Sequence, residues 1–240
     1  MNALTITLIQ PDLTWENKAA NLSRLSQKIE AIKEKTEVVI LPEMFSTGFS
    51  MKPEVLSEKM DGETMEWMKK ISSEKKIILT GSIIIEDNAA GMHGNKKYYN
   101  RLIWMLPNGE YGFYDKRHLF AYADEHSHYT AGDKRLIASV KGWKINLQVC
   151  YDLRFPVWAR QCPLPAAKGP EAKTDPEYDL LIYVANWPER RKHAWKTLLQ
   201  ARAIENQCYV IGVNRVGTDG NNLNYPLVIN ELLVMTVLAV

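Results

Sequence analysis

Short continuous apolar runs alternate along the chain with longer amphipathic stretches, the pattern of buried strands separated by surface helices. Leu4-Thr5-Ile6-Thr7-Leu8-Ile9 reads as a first strand, closed by Gln10-Pro11-Asp12. Leu22, Leu25, Ile29 and Ile32 then recur at three- and four-residue spacing, which places them on one face of a helix. Val38-Val39-Ile40-Leu41 is a second strand, rich in β-branched residues, and Pro42 ends its ladder because it has no N–H to donate. A helix is expected from Glu63 to Ser73 and a third strand from Ile77 to Ile85. Tyr98 to Leu106 should pair with Tyr111 to Tyr114 across Pro107-Asn108-Gly109-Glu110, whose residues suit a hairpin turn. Trp143 to Val149 is another apolar run. A helix from Val157 to Cys162 should follow it, before Pro163, Pro165 and Pro170 break the chain into an exposed loop ending near Pro176. Leu180 to Ala185 is a strand, Ala194 to Asn206 a helix with Ala194, Leu198 and Ala201 on one stripe, and Tyr209 to Asn214 a closing strand. Strands in this order, with helices on outer faces, indicate the α/β class.

The polar residues that interrupt this pattern carry the candidate chemistry. Cys150 follows the Trp143 run directly, and Tyr151-Asp152-Leu153-Arg154-Phe155-Pro156 starts a turn after it. A thiol at a strand's carboxyl end projects into the crevice above the sheet, where the next N–H, that of Tyr151, can address a developing oxyanion. Most free cysteines are inert apolar residues, so Cys150 alone says little. Glu43 is the first ionisable group past the Val38 strand, and Lys116 follows the aromatic run Tyr111-Gly112-Phe113-Tyr114. Singly, the one reads as a loop or cap carboxylate and the other as a solvated charge. Together with the thiol they make a workable set. Glu43 takes the thiol proton and passes it to a leaving amine, while protonated Lys116 lowers the thiol pKa and completes an oxyanion hole with the Tyr151 N–H.

With those residues in view, the chain resembles the nitrilase superfamily, the carbon–nitrogen hydrolases with a Glu-Lys-Cys triad. "LPEMFSTGF" resembles its glutamate motif, "YDKRHLF" its lysine motif and "CYDLRFPVWAR" its cysteine motif, in the family's order. The resemblance implies Glu43 as general base, Lys116 as oxyanion stabiliser and Cys150 as nucleophile. It implies a second, supporting glutamate, for which Glu125 in "ADEHSHYTAG" is the candidate, and a four-layer α-β-β-α sandwich. "CYDLRFP", "YVANWPERR" and "ARAIENQCYVIGVNRVGTDG" are similar to the omega-amidase branch, which hydrolyses the terminal amide of 2-oxoglutaramate and 2-oxosuccinamate. Arg154 is then a candidate clamp for a substrate carboxylate, or else a structural ion pair with Asp152 or Glu205. Asn186 and Trp187, which end the Leu180 run, and the aromatic residues Phe120 and Tyr122 are candidates for the pocket wall.

One carbon–nitrogen hydrolase domain over residues 1–240 is expected. Its part from about 226 departs from the family, because the Pro-x-Gly turn and further strands that usually follow are replaced by an apolar tail, as a truncation would produce. If real as written, Leu232 to Val240 needs a sheet or a partner to cover it. A net charge of +2 makes no case for nucleic acid or an acidic membrane. The Lys-Arg clusters Lys96-Lys97 and Arg190-Arg191-Lys192 read as solvated faces. Three cysteines at unrelated spacings argue against a disulfide framework, and no apolar stretch has the length of a span, so a cytoplasmic protein is expected. The expected partners are a small amide substrate and a second copy of the chain, as a homodimer or higher oligomer, with no cofactor and no metal. Alternatives are a carbamoyl-amine or nitrile hydrolase with the same triad, a papain-like use of Cys150 with His118 or His193, and metal-assisted hydrolysis through Asp124-Glu125-His126-Ser127-His128. A non-catalytic dimeric scaffold is the alternative of a different class.

Overall fold

The computed structural model describes residues 2–87, 96–161 and 176–226, and the backbone of 232–237. In chain order the elements are β1 (Leu4–Ile9), α1 (Lys18–Glu30), β2 (Val38–Ile40), α2 (Pro53–Leu56), α3 (Glu63–Lys75), β3 (Ile78–Asp87), β4 (Lys97–Met105) and β5 (Tyr111–Asp115). There follow α4 (Glu125–His128), β6 (Leu136–Val140), β7 (Trp143–Val149), α5 (Pro156–Ala159), β8 (Leu180–Ala185), α6 (Lys192–Asn206), β9 (Tyr209–Asn214), β10 (Gly217–Thr218), β11 (Asn224–Tyr225) and β12 (Leu232–Val237). They build one sheet in the order β12-β1-β2-β3-β4-β5 and a second in the order β6-β7-β8-β9, with a small β10-β11 ribbon.

The layering follows from side-chain alternation. Val38 and Ile40 of β2, and Leu102 and Trp104 of β4, join Ile145, Leu147 and Val149 of β7 in the core between the sheets. The opposite faces of the same strands, Val39 and Leu41, Ile103 and Met105, pack on Leu22, Leu25 and Ile29 of α1 and Met65, Met68 and Ile71 of α3. Across the second sheet, α6 and α5 supply the fourth layer, giving the α-β-β-α sandwich. β1, β2 and β3 run parallel, as do β7, β8 and β9. Burial on both faces explains why β2 and β8 are continuous apolar runs. Among the described residues, no helix is long and apolar enough to cross a membrane.

Several elements differ from the sequence expectation. α5 is a single turn ending at Ala159, because the chain turns extended at Arg160 and Gln161 anchors it there: its amide donates to the Asn206 carbonyl and its oxygen accepts the Glu177 N–H. The proline-rich stretch 162–175, Cys162 included, lies outside the described residues. α6 buries Trp195, Arg202 and Asn206, while Ala194 and Leu198 of the expected stripe are partly buried against the same core. Gly212 on β9 makes room for this face: a β-carbon there would collide with Leu199 and Trp195, so the glycine is the space that admits them. α1 stops at Glu30, leaving Ile32 partly buried just beyond it. The strand β6 was not expected. The apolar tail has a place in the sheet, since the backbone of β12 pairs antiparallel with β1 from Leu4↔Val237 to Ile9↔Leu232.

Candidate active site

Polar residues gather where the strands of both sheets run out. Glu43 lies three residues past β2, Lys116 directly after β5, Cys150 directly after β7 and Asn186 directly after β8. Cys150 starts a 3-10 turn with φ of 45°, a left-handed backbone that a non-glycine residue adopts only when its surroundings enforce it. Met44, beside Glu43, is likewise left-handed at φ 44°. The enforcing contacts at Cys150 come from Asp152, fully buried two residues on. Its carboxylate accepts the Val149 N–H at 3.1 Å, the Tyr114 hydroxyl at 2.7 Å and the His118 N–H at 2.9 Å. One carboxylate thus ties the cysteine turn to both flanks of Lys116.

The structure brings Glu43, Lys116 and Glu125 into direct contact, all fully buried, beside Cys150. Lys116 Nζ lies 2.8 Å from Glu43 Oε1 and 3.0 and 2.9 Å from the two Glu125 oxygens. Asn100 on β4 donates to Glu43 Oε1 at 2.8 Å and to Glu125 Oε1 at 3.3 Å, and accepts the Ser82 hydroxyl at 2.7 Å. Glu43 Oε2 accepts the Asn186 N–H at 2.8 Å, and Glu125 Oε2 accepts the Phe120 N–H at 2.6 Å. Every carboxylate oxygen in the cluster therefore has a donor, which buried charge requires.

Electrostatics sort these groups into roles. Burial alone would depress the Lys116 ammonium, but Glu125 and Glu43 outweigh it and hold the group well above its usual range, so it stays charged. Burial raises the Glu125 carboxyl above its ordinary value, with Glu43 adding to the rise and Lys116 opposing it. Burial, then the Glu43 carboxylate, push the Cys150 thiol well up, and Lys116 offsets this only in part. Lys116 does lower the thiol pKa, as expected, but burial and Glu43 outweigh it and the net shift is upward. Burial and the neighbouring carboxylate thus both favour the neutral thiol over the thiolate.

Cys150, 8% exposed, opens on a cavity of about 700 Å³. Tyr151, Asn186, Trp187 and Phe120 wall it, and Tyr122, which is 80% exposed, stands at its rim. Asn186 is more than a wall, because its side-chain amide also donates to the Glu43 carbonyl. Arg154 lines the cavity with its guanidinium over the Trp187 ring, 5.1 Å from the centroid. Of its two readings the ion pair fails: Glu205 bonds Arg202, Asp152 takes the donors given above, and neither pairs with Arg154. Arg190 and Arg191, expected on a solvated face, also line the cavity. His118 is turned away from the thiol. Its Nδ1 lies 2.8 Å from Asp152 Oδ1 and its ring stacks on Phe155. His126 and His128 flank Asp124 at 3.7 and 3.8 Å, whereas Glu125 points inward to Lys116. Sequence reasoning missed Asn100, Asp152 and Ser82. Asn100, a polar residue within the strand β4, was the one available signal.

The carbon–nitrogen hydrolase family model matches residues 5–237. The omega-amidase YafV of Escherichia coli K12 is 42% identical over 225 residues, covering 94% of this chain and 79% of that protein. A 2-oxoglutaramate amidase of Bacillus subtilis is 30% identical over 221 residues, 91% of this chain and 78% of that protein. Among solved structures, XC1258 of Xanthomonas campestris, a carbon–nitrogen hydrolase superfamily protein with an arsenic adduct in its active site, superposes with a TM-score of 0.87 at 39% identity. That similarity covers 100% of this chain and 92% of XC1258. Yeast Nit3, of branch 10 of the nitrilase superfamily, gives a TM-score of 0.72 at 25% identity over 89% of this chain and 76% of its own. On its folded architecture and on these similarities, the chain belongs to the carbon–nitrogen hydrolase family.

Proposed function

We propose that the protein is a thiol-dependent amidase that cleaves the terminal amide of a small 2-oxo dicarboxylic acid monoamide, such as 2-oxoglutaramate or 2-oxosuccinamate. The observation that carries the reading is a fully buried Glu43–Lys116 ion pair beside a thiol on a left-handed turn, opening on a cavity that also presents Arg154, which has no carboxylate partner among the described residues. In this mechanism Cys150 Sγ attacks the amide carbon as its proton passes to Glu43. Lys116 and the Tyr151 N–H stabilise the oxyanion. Collapse breaks the C–N bond, and Glu43 returns the proton to the departing nitrogen, so ammonia leaves and a thioester remains. Glu43 then deprotonates a water that attacks the thioester, releasing the acid and restoring the thiol. Glu125 supports the set by holding Lys116 from its second side, and no cofactor enters any step. Arg154, through two parallel hydrogen bonds, receives the substrate carboxylate at the far end of the cavity. The names of the omega-amidase and 2-oxoglutaramate amidase relatives support the choice of substrate.

The test is ammonia release from 2-oxoglutaramate by the wild-type protein beside Cys150→Ala. Turnover that is lost in the variant is expected. A folded wild-type protein that releases no ammonia from either 2-oxo acid amide would overturn the substrate assignment, and full activity in Cys150→Ala would overturn the mechanism.

A further inference from the structure

The cavity holds a second guanidinium with the same character as Arg154. Arg191 is half-buried, lines the cavity, and lies over the Phe120 ring with its Cζ 4.9 Å from the centroid. Phe120 is itself held: its N–H donates to Glu125 and its ring packs edge-on against Tyr151, centroids 4.9 Å apart. Arg191 is anchored from behind as well, since its carbonyl accepts the Trp187 indole N–H at 2.8 Å, and Trp187 is the ring under Arg154. Two guanidiniums therefore rest on two aromatic faces of one cavity.

Neither has an anion to answer it among the described residues. The two carboxylates that line the cavity are occupied elsewhere. Glu16 bonds Lys52 at 2.8 Å and the Ser50 hydroxyl at 2.7 Å. Asp219 accepts the Tyr225 hydroxyl at 2.8 Å and the N–H groups of Asn221 and Leu223. Burial, with Arg190 and Arg154 as like-charged neighbours, depresses Arg191, so the protein bears repulsion here that a bound anion would relieve. A cavity that concentrates unpaired guanidiniums on rigid aromatic supports is built for an anionic ligand with more than one acceptor atom.

We propose that Arg191 is a second specificity-determining residue, which together with Arg154 reads the carboxylate and the adjoining oxygen at the end of the substrate remote from the scissile amide. The inference rests on the amidase reading but names a residue and a discrimination that reading does not require. Its signature is selectivity for anionic over neutral amides, carried in KM rather than in the chemical step, because the contact is equally made in ground and transition states.

Two measurements test it. In Cys150→Ala, calorimetry with 2-oxoglutarate, the expected product of the five-carbon amide, gives an affinity; adding Arg191→Met should weaken it about tenfold to a hundredfold, as loss of a charge-assisted hydrogen bond does. In the active protein, the ratio of kcat/KM for 2-oxoglutaramate over that for butyramide should fall by about tenfold or more in Arg191→Met, with Arg191→Lys intermediate because it keeps charge but not the planar fork. An affinity unchanged within about twofold in a folded Arg191→Met background overturns the proposal, as does an unchanged ratio. Failure of the underlying reading looks different: a wild type that binds 2-oxoglutarate through Arg191 yet releases no ammonia from 2-oxoglutaramate has the anion site without the proposed reaction.

Discussion

Replacing Lys116 with methionine tests the buried cluster more sharply than any other single change. Methionine keeps the length and apolar stem of lysine but removes the cation that bonds Glu43 at 2.8 Å and Glu125 at 2.9 and 3.0 Å. Two fully buried carboxylates are then left with no cation between them, held only by Asn100 Nδ2, which they share, and by the Asn186 and Phe120 N–H groups. Removing one partner of a buried ion pair costs about 3–5 kcal/mol. For a chain of 240 residues, that converts to a fall in Tm of roughly 6–20 °C at about 2–4 °C per kcal/mol. The loss should depend on pH with a definite sign. Glu125 already sits above the ordinary carboxyl value of 4.5, and loss of the opposing lysine raises it further. A carboxyl whose folded pKa is raised leaves stability intact below the unfolded value and removes it as pH climbs through the folded one. The deficit should therefore be small near about pH 5 and largest near about pH 8. Thermal unfolding followed by circular dichroism at both values, for wild type, Lys116→Met and Lys116→Met/Glu125→Gln, is the assay. The double variant, relieved of one carboxylate charge, should regain more than about half of the lost stability at the higher pH while turnover stays down by about a hundredfold or more. A single variant within about 2 °C of wild type at both pH values, or a double variant no more stable than the single, would refute the claim that Lys116 holds two like charges together.

Other outcomes follow from the same geometry. Glu43→Gln should cut turnover by about a hundredfold to ten-thousandfold, yet shift Cys150 alkylation by iodoacetamide to lower pH, since the Glu43 carboxylate is among the groups that raise the thiol. A profile displaced upward would contradict that electrostatic account. Asp152→Asn keeps the shape of the anchor but cannot satisfy all the N–H and O–H donors that its carboxylate now accepts. It should lower stability by about 1–3 kcal/mol and lower kcat with little change in KM, measured by urea unfolding and steady-state kinetics. Arg154→Lys should raise KM for a 2-oxo acid amide by about tenfold, and an unchanged KM would remove Arg154 as the carboxylate clamp.

How far the sequence could be read depended on the range of the interaction involved. β7, β8 and β9 span the runs expected for them, because local composition reveals a strand: β8, buried on both faces, is apolar throughout, and β7 and β9 are rich in large apolar residues. The hairpin from β4 to β5 was legible for the same reason, its turn residues being adjacent in the chain. What distant elements impose was not. The register that sets Ser82 opposite Leu102 and Asn100 opposite Ile84 is a property of two paired strands, and only that pairing makes Asn100 a bridge between two glutamates. Likewise Arg190 and Arg191 sit in a run of charge that resembles any solvated surface. Their place in the cavity follows from the turn after β8, where Trp187 is fixed to Asn214 on one side and to the Arg191 carbonyl on the other.

The raised thiol pKa bears on why the proposed assignment suits amide hydrolysis. With a neutral thiol, two carboxylates and one ammonium, the buried cluster carries a net charge of −1, and its carboxylates are already satisfied by donors. A resting thiolate would add a further buried anion beside Glu43, the arrangement that burial and like charge resist. Delivering the proton to Glu43 only as sulfur attacks carbon moves the negative charge from carboxylate to oxyanion, next to an ammonium held charged by its two glutamates. The cluster's net charge is thereby unchanged through the step, so little reorganisation is demanded of its buried groups. An amide nitrogen is a poor leaving group until protonated, and the same carboxyl now holds the proton it requires. On this account the second carboxylate contributes by keeping Lys116 charged and placed while Glu43 changes protonation state, which a single ion pair could not do.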